Sequence, residues 1–373
     1  MDPATLESLI VKEIRKASEI SRRDLSERLD IAKSTAGRRV DSMIERGILR
    51  EKGLETRTEV GRPRRFLELR GSHGGFVGFD FEARNLYAVF VDFAQHTLAR
   101  VHVRLSERPA KEEVVGQLRR LIAEFSANDR NLDIHGVGIG APGRIHQESR
   151  LGVSYPFIAG WRNVTLPSEL GLPPARVHVE NNTRAIILGE YWLGSHGACE
   201  HMICLNVRTG ISAAVIANGQ LLSGRHEMAG EIRGWPVPAE AGAGNRENWL
   251  ENVATVRAIS KDRSPTRERW RAFVEKCRTG DGRSIELLAR IARHHGDTAA
   301  RLVQLTDPEV VLFAGAFTEL GDLYLDRVRE TAAALLEDHY FRPPPIKLVT
   351  LGEFAGAHGA AALAAAHYKP ALG

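Results

Sequence analysis

Between Phe76 and Gly315 the apolar runs fall in an order that occurs twice, and that order leaves few architectures open. Phe76 to Phe81 and Leu86 to Phe93 read as two strands around a turn, a helix follows from about Lys111 to Phe125, and Ile134 to Ile139 reads as a buried strand ending in Gly140-Ala141-Pro142-Gly143. Val177 to Glu180 is a further strand, leading into a helix over Thr183 to Leu193. The order then recurs: strands Met202 to Val207 and Ser212 to Ala217, a turn at Asn218-Gly219, helices from Trp249, and a strand Val310 to Ala314 before Gly315. Two strand-strand-helix-strand sets with a helical insertion predict an α/β body of two similar lobes. Such bodies bind ligands between the lobes, at strand ends.

The first seventy residues differ in character. They hold 17 Lys+Arg and 13 Asp+Glu, leaving 34 and 34 of the chain's 51 and 47 for residues 71–373, so the whole excess of +4 sits there. A basic unit joined to an electroneutral body suggests a polyanion reader. Leu6, Leu9, Ile10, Ile14 and Ala17 recur at helical spacing behind Pro3. Ser21-Arg22-Arg23-Asp24 has the form of a capping box opening a second helix; a third begins near Ser34, with Ala36, Val40, Met43 and Ile44 inward and Gly47 as its stop. Three short helices in this rhythm predict a helix-turn-helix. Lys33, Ser34, Thr35, Arg38 and Arg39 face outward on the third helix, and Arg22 and Arg23 join them as cationic candidates for contact with DNA. Gly37 costs up to about 1 kcal/mol of helix propensity, tolerable where a small residue lets a groove approach.

Ile48-Leu49-Arg50 then reads as a strand, Lys52-Gly53 as a turn and Phe66-Leu67-Glu68-Leu69 as the returning strand, which makes a wing. Its tip is Gly61-Arg62-Pro63-Arg64-Arg65, where Arg62, Arg64 and Arg65 suit the negative potential of a minor groove. A plain three-helix bundle with a solvated basic face is the competing reading, and the wing argues against it. Gly71-Ser72-His73-Gly74-Gly75 reads as a flexible linker.

At 373 residues the chain is long enough for two cores and a smaller unit. No apolar run approaches the eighteen or so residues of a membrane span, and MDPATLESLI lacks the pattern of a secretory signal, so a cytoplasmic protein is expected. Cys199, Cys204 and Cys277 have neither CxxC nor CxC spacing and read as buried free thiols.

Gly138-Ile139-Gly140-Ala141-Pro142-Gly143, Tyr155-Pro156 with Gly160-Trp161, Val179-Glu180-Asn181-Asn182, Ala229-Gly230-Glu231-Ile232 and Gly356-Ala357-His358-Gly359-Ala360-Ala361 together resemble the ROK family, which comprises transcriptional repressors and sugar kinases. The resemblance implies a winged helix-turn-helix over 1–70 followed by a two-lobed actin/hexokinase-like ATPase fold. One lobe would span 71–182 and be completed by the C-terminal helix 356–373; the other would span 183–355, with dimerisation and effector sensing. The winged unit marks the repressor branch.

Phosphoryl transfer needs backbone donors around the phosphates, a metal nearby and a base for the sugar hydroxyl. The family's kinases carry DxGGT as a first phosphate loop, where this chain has Asp80-Phe81-Glu82-Ala83-Arg84. Their GTGIGGG appears here as Arg208-Thr209-Gly210-Ile211-Ser212-Ala213-Ala214, and their Asn-Asp, whose Asp is the base, as Asn181-Asn182. A carboxamide cannot take that proton, so a general-base factor of about 10²–10⁴ is lost. No catalytic residue is therefore assigned. The His and Cys ligands of the family's zinc element are absent after Glu231, so no metal and no cofactor is expected, and Trp235 and Trp249 are offered instead as packing for that segment. Asn181, Asn182, Glu231 and Glu251 match sugar-contact positions, while Phe157 stands where the family has Asn and Gly234 where it has His. Glu231 and Glu251 read equally well as structural carboxylates paired with Arg233 and Arg257.

The expectation is a DNA-binding repressor of carbohydrate-related genes with a catalytically silent, kinase-like sensor. Its partners would be a double-stranded operator, a sugar or sugar derivative and a second copy of itself. The competing readings are a sugar kinase with an added DNA-binding unit, a regulator controlled by a protein partner, and a nucleoid-type binder with little sequence preference.

Overall fold

The computed structural model describes residues 2–17, 19–54, 65–128, 132–196, 199–237, 248–260, 266–338 and 342–370. The N-terminal unit is a winged helix-turn-helix: α1 (Pro3–Lys16), α2 (Arg22–Arg28), α3 (Lys33–Glu45), then β1 (Leu49–Leu54) antiparallel to β2 (Arg65–Leu69). Asp2 caps α1, accepting from the Thr5 N–H, and Ser21 and Asp24 form the reciprocal box that starts α2. Gly47, at φ +70, ends α3 in a conformation costly for any residue with a Cβ. Lys52 and Gly53 do not turn the chain, as the sequence suggested; β1 runs on to Leu54 through a bulge. The tip with Gly61, Arg62, Pro63 and Arg64 lies outside the described residues.

Two five-stranded sheets follow. The first lobe contains β3 (Gly75–Phe81), β4 (Asn85–Asp92), β5 (Thr97–Arg104), α4 (Lys111–Asn128), β6 (Ile134–Ala141), a small sheet of β7 (Arg144–His146), β8 (Leu151–Ser154) and β9 (Arg162–Thr165), α5 (Leu166–Leu170), β10 (Val177–Asn181) and α6 (Asn182–Leu193). The second contains β11 (Met202–Val207), β12 (Ile211–Ala217), β13 (Gln220–Leu221), α7 (Leu250–Val253), α8 (Arg267–Arg278), α9 (Gly282–Thr306), β14 (Val310–Gly315), α10 (Asp322–Leu336) and β15 (Ile346–Leu348), after which α11 (Ala355–Ala366) returns to the first lobe's sheet. The strand orders are β10-β6-β3-β4-β5 and β15-β14-β11-β12-β13, the same arrangement built twice, each with antiparallel pairs on one side of its first strand and parallel pairs on the other. Asn218 and Gly219, both at positive φ, make the tight β12–β13 turn.

The lobes meet where α6 and α11 cross. A Cβ on Gly138 would stand 1.7 Å from the Ala360 carbonyl oxygen, one on Gly78 2.0 Å from that of Ala357, and one on Gly359 1.8 Å from that of Ala185. α11 thus lies backbone to backbone on β3, β6 and α6, and its run of Ala and Gly is what that spacing admits.

The segment 71–75 is no flexible linker. Gly71–His73 forms a 3₁₀ turn, Gly71 packs against Asp92, Gly74 packs against His135, and β3 begins at Gly75. Leu6, Ile10, Ile14, Leu25, Val40 and Met43 share one core with Phe76, Phe93, Ala357, Ala361 and Ala365. Hinge composition was outweighed by glycine's second use, close approach.

Two outcomes are expected. Gly359→Ala and Gly138→Ala should each cost about 3 kcal/mol or more in urea unfolding, since backbone and not a movable side chain opposes the methyl, whereas Gly37→Ala, with nothing within 4 Å of its Cβ, should stabilise by up to about 1 kcal/mol. Fully buried His295 donates from Nε2 to the Ala254 carbonyl (2.6 Å) and accepts at Nδ1 from the Tyr324 hydroxyl (2.7 Å), and burial pulls its pKa from 6.5 to about 4. The unfolded chain takes this proton first, so stability present above pH 6.5 should be lost as pH falls toward 4. His295→Gln should flatten that part of a stability-against-pH profile.

Candidate functional site

Asp80 ends β3 and is fully buried, with its carboxylate against Gly356 in the first turn of α11. The β11–β12 turn of the other lobe sends Arg208 across to meet it: Nη2 lies 2.6 Å from Oδ2 and Nη1 3.2 Å from Oδ1, a two-pronged pair. Burial pushes the Asp80 carboxyl up and the Arg208 charge pulls it back; on Arg208, burial works against the charge, but Asp80 outweighs it, so the guanidinium stays protonated. Beside them Glu82 accepts from Asn85 Nδ2 (3.0 Å) and Thr209 Oγ1 (3.4 Å). The two segments that match phosphate loops are therefore bonded to each other.

Asn181 is the N-cap of α6. Its Oδ1 accepts from the Thr183 and Arg184 N–H groups (2.9 and 3.4 Å) and its Nδ2 donates to the Gly143 carbonyl (2.9 Å). Both ends of that amide are in use locally, which explains one of the two consecutive asparagines as a cap. Asn182 is buried at the first turn, and Thr183 Oγ1 lies 3.5 Å from its Oδ1. Thr183 also bonds Ser212 Oγ (2.5 Å) and accepts from Asn206 Nδ2 (3.1 Å), tying α6 to the second lobe's sheet. Buried Arg184 reaches Glu180, Glu227 and the carbonyls of Ser223, Glu227 and Ala229, and so fixes the loop that leads to Glu231.

Phe157, Asn181, Asn182, Glu231 and Glu251 all line one cavity of about 540 Å³ between the lobes, together with Glu82, Arg144, Arg208 and Arg257. The structural alternative for the two glutamates is also present: Arg233 Nε lies 4.0 Å from Glu231 and Arg257 Nη1 3.6 Å from Glu251. Burial pushes the Glu251 carboxyl up, opposed by Arg257 and Arg233. Trp235 and Trp249 bracket residues 238–247, which lie outside the described residues, through a Pro236–Trp249 bridge.

On the winged unit, Lys33, Ser34 and Arg38 are exposed along α3, with Thr35 and Arg39 half-buried. Arg39 leans toward buried Glu7 (3.8 Å), and Arg22 is held by Asp41 (2.5 Å) and Glu51 (3.1 Å). Glu51 also binds Arg65, while Arg23 is exposed and pairs with Glu27. Arg22 and Arg65 thus set the wing against α3, and Lys33, Ser34 and Arg38 form the open face.

Arg208, Arg257, Asn206 and Ser212 took no site role in the sequence reading. The signal was there for Arg208, a long cation inside a loop whose kinase form is glycine and threonine.

The ROK family profile matches residues 76–367, and a winged helix-turn-helix DNA-binding profile matches residues 5–50. The chain belongs to the ROK family. A xylose repressor of Caldicellulosiruptor bescii is 26% identical over 351 residues, 86% of each chain. A glucokinase of Thermotoga maritima is 26% identical over 273 residues, 68% of this chain and 85% of that one. Among solved structures, a ROK family transcriptional regulator homologous to the Escherichia coli Mlc protein superposes with a TM-score of 0.76 at 21% identity, covering 98% of this chain and 97% of that one. That likeness establishes the fold of the whole chain, winged unit included.

Asn182→Asp restores one carboxylate and leaves Arg208 on Asp80. In a coupled assay with ATP and a panel of hexoses, this variant should show no phosphorylation above the wild-type background. Turnover by the single variant would mean that the bridged loops still admit a nucleotide.

Proposed function

We propose that this chain is a transcriptional regulator, a repressor of carbohydrate-related genes, whose ROK body binds a sugar-like effector without phosphorylating it. The observation that carries the reading is the Asp80–Arg208 pair, which bridges the two phosphate-loop positions in a chain with a winged helix-turn-helix. The xylose repressor that aligns with 86% of this chain supports the same assignment. In this reading residues 1–70 contact the operator, residues 71–182 with 356–373 form one wall of the effector cleft, and residues 183–355 form the other and the dimer contact. The protein works in the cytoplasm as a homodimer on paired half-sites. Asn182 and Glu251 hold hydroxyls, offering a donor and acceptors.

The glucokinase relative favours the enzymatic alternative, which requires ATP-dependent turnover by the wild type. A mobility-shift titration on the DNA upstream of the protein's own gene tests the regulatory reading, and no sequence-selective shift at moderate salt would sink it. Lys33→Ala with Arg38→Ala should weaken binding. Arg62→Ala with Arg64→Ala should lower the dependence of log affinity on log salt by about one unit per phosphate contact removed. Arg22→Ala should act through a lower melting temperature, because it releases Asp41 and Glu51.

A further inference from the structure

We propose that the interlobe cavity is built for a sugar acid, one carboxylate on a polyhydroxylated ring, with Arg257 as the residue that reads the carboxylate. The inference rests on the reading of this cavity as the effector site. Arg257 sits in a 3₁₀ turn, Val256–Ile259, whose start is fixed by Thr255, a buried cap that accepts the Arg257 backbone N–H (3.2 Å). Its Cζ lies 5.6 Å from the centre of the Phe157 ring, which the first lobe contributes to the same cavity. Glu251 Oε2 is 3.6 Å from Nη1, an ion-pair distance longer than a hydrogen bond.

Among the described residues no side-chain N–H of Arg257 has a hydrogen-bond acceptor, and Nε is also shut off from solvent. A guanidinium fork that lacks a hydrogen-bond acceptor, keeps 20% of its side chain exposed and lies over a ring is matched by a planar, two-oxygen acceptor. Arg144, contributed by the other lobe, is exposed on the same cavity and has no ion pair among the described residues.

The charge balance of the wall selects the anion. Arg208 is closed by Asp80, which leaves Arg144, Arg233 and Arg257 against Glu82, Glu231 and Glu251. A monoanion can be carried by the Arg257 fork alone, whereas a phosphate ester of charge near −2 faces three carboxylates for the same cations. Glu231, Glu251 and Asn182 remain for hydroxyls, a neutral-sugar chemistry on which the carboxylate contact is superimposed.

Titration calorimetry on the full chain tests this with three matched sets: glucuronate, galacturonate and mannuronate, each against its neutral hexose and that hexose's 6-phosphate. In at least one set the uronate should bind about tenfold or more tighter than both partners, as expected for a charge-assisted pair. Arg257→Gln should remove that margin; Arg257→Lys should keep part of it. Equal or tighter binding of the neutral sugar, preference for the 6-phosphate, or indifference to Arg257→Gln in a variant with wild-type melting behaviour overturns the inference and leaves the effector site standing. Binding of none of the nine compounds removes both. The wild-type comparison needs no variant to fold.

Discussion

The molecule depends on a place where side chains have been removed. Gly78 and Gly138 on the first sheet, Gly189 on α6, and Gly359 on α11 let two helices and two strands touch main chain to main chain. In each sheet the last parallel strand is followed by one of these helices, α6 after β10 and α11 after β15, yet α11 lies on the first lobe's strands, and α6 is bonded to the second lobe's through Thr183. Neither lobe has a finished core without an element delivered by the other. Packing of this density has discrete arrangements and little slack, so the angle between the lobes is a property of the crossing.

The DNA-binding unit is wired into the same crossing. Ala357, Ala361, Ala364 and Ala365 present one face of α11 to the core that contains Leu6, Ile10 and Val40, and Arg15 donates from Nη1 to the Ala365 carbonyl (2.7 Å). Arg15 is an unusual bolt. Its Nε and Nη2 have no hydrogen-bond partner among the described residues, it stands over Phe76 and Phe93 at 5.9 and 5.7 Å, and burial draws its pKa down to about 10. A desolvated cation on aromatic faces gains up to about 2 kcal/mol and loses solvation, so this contact holds the winged unit in place with little net energy. That is the balance expected of a joint between a sensor and its output.

What could be read from the chain alone follows from which residues face what. Strands buried on both faces are dense in apolar residues, Val310 to Ala314 without a break and Phe76 to Phe81 interrupted only by Gly78 and the buried Asp80, and were found at nearly the right ends. β5 is an edge strand in which half-buried Ala99, Val101 and Val103 alternate with exposed Arg100, His102 and Arg104, so its period of two was legible and was overlooked. β15 has three residues and β7 to β9 are short, below the length at which a period can be seen. The linker failed for a different reason. Glycine-rich composition signals freedom only where nothing is near, and at 71–75 it signals a neighbour.

The cleft residues divide in the same way. Five candidates line one cavity: Asn181, Asn182 and Glu251 lie at a strand end or helix start, whereas Phe157 and Glu231 are carried by the β8–β9 and β13–α7 connections. Their division of labour was hidden, since it depends on contacts across the lobes. Asn181 spends both amide ends on capping α6 and the Gly143 carbonyl, leaving Asn182 the less committed of these two cavity-lining asparagines. Arg208 reaches across from the second lobe to Asp80, and Asp80 rests on the first turn of α11, the helix that also packs against the winged unit. The cavity beside this bridge is lined from both lobes, by Phe157 on one and Glu231 and Arg257 on the other, so any ligand held by both sets of groups would shift the lobes only by the difference in its affinity for their two arrangements.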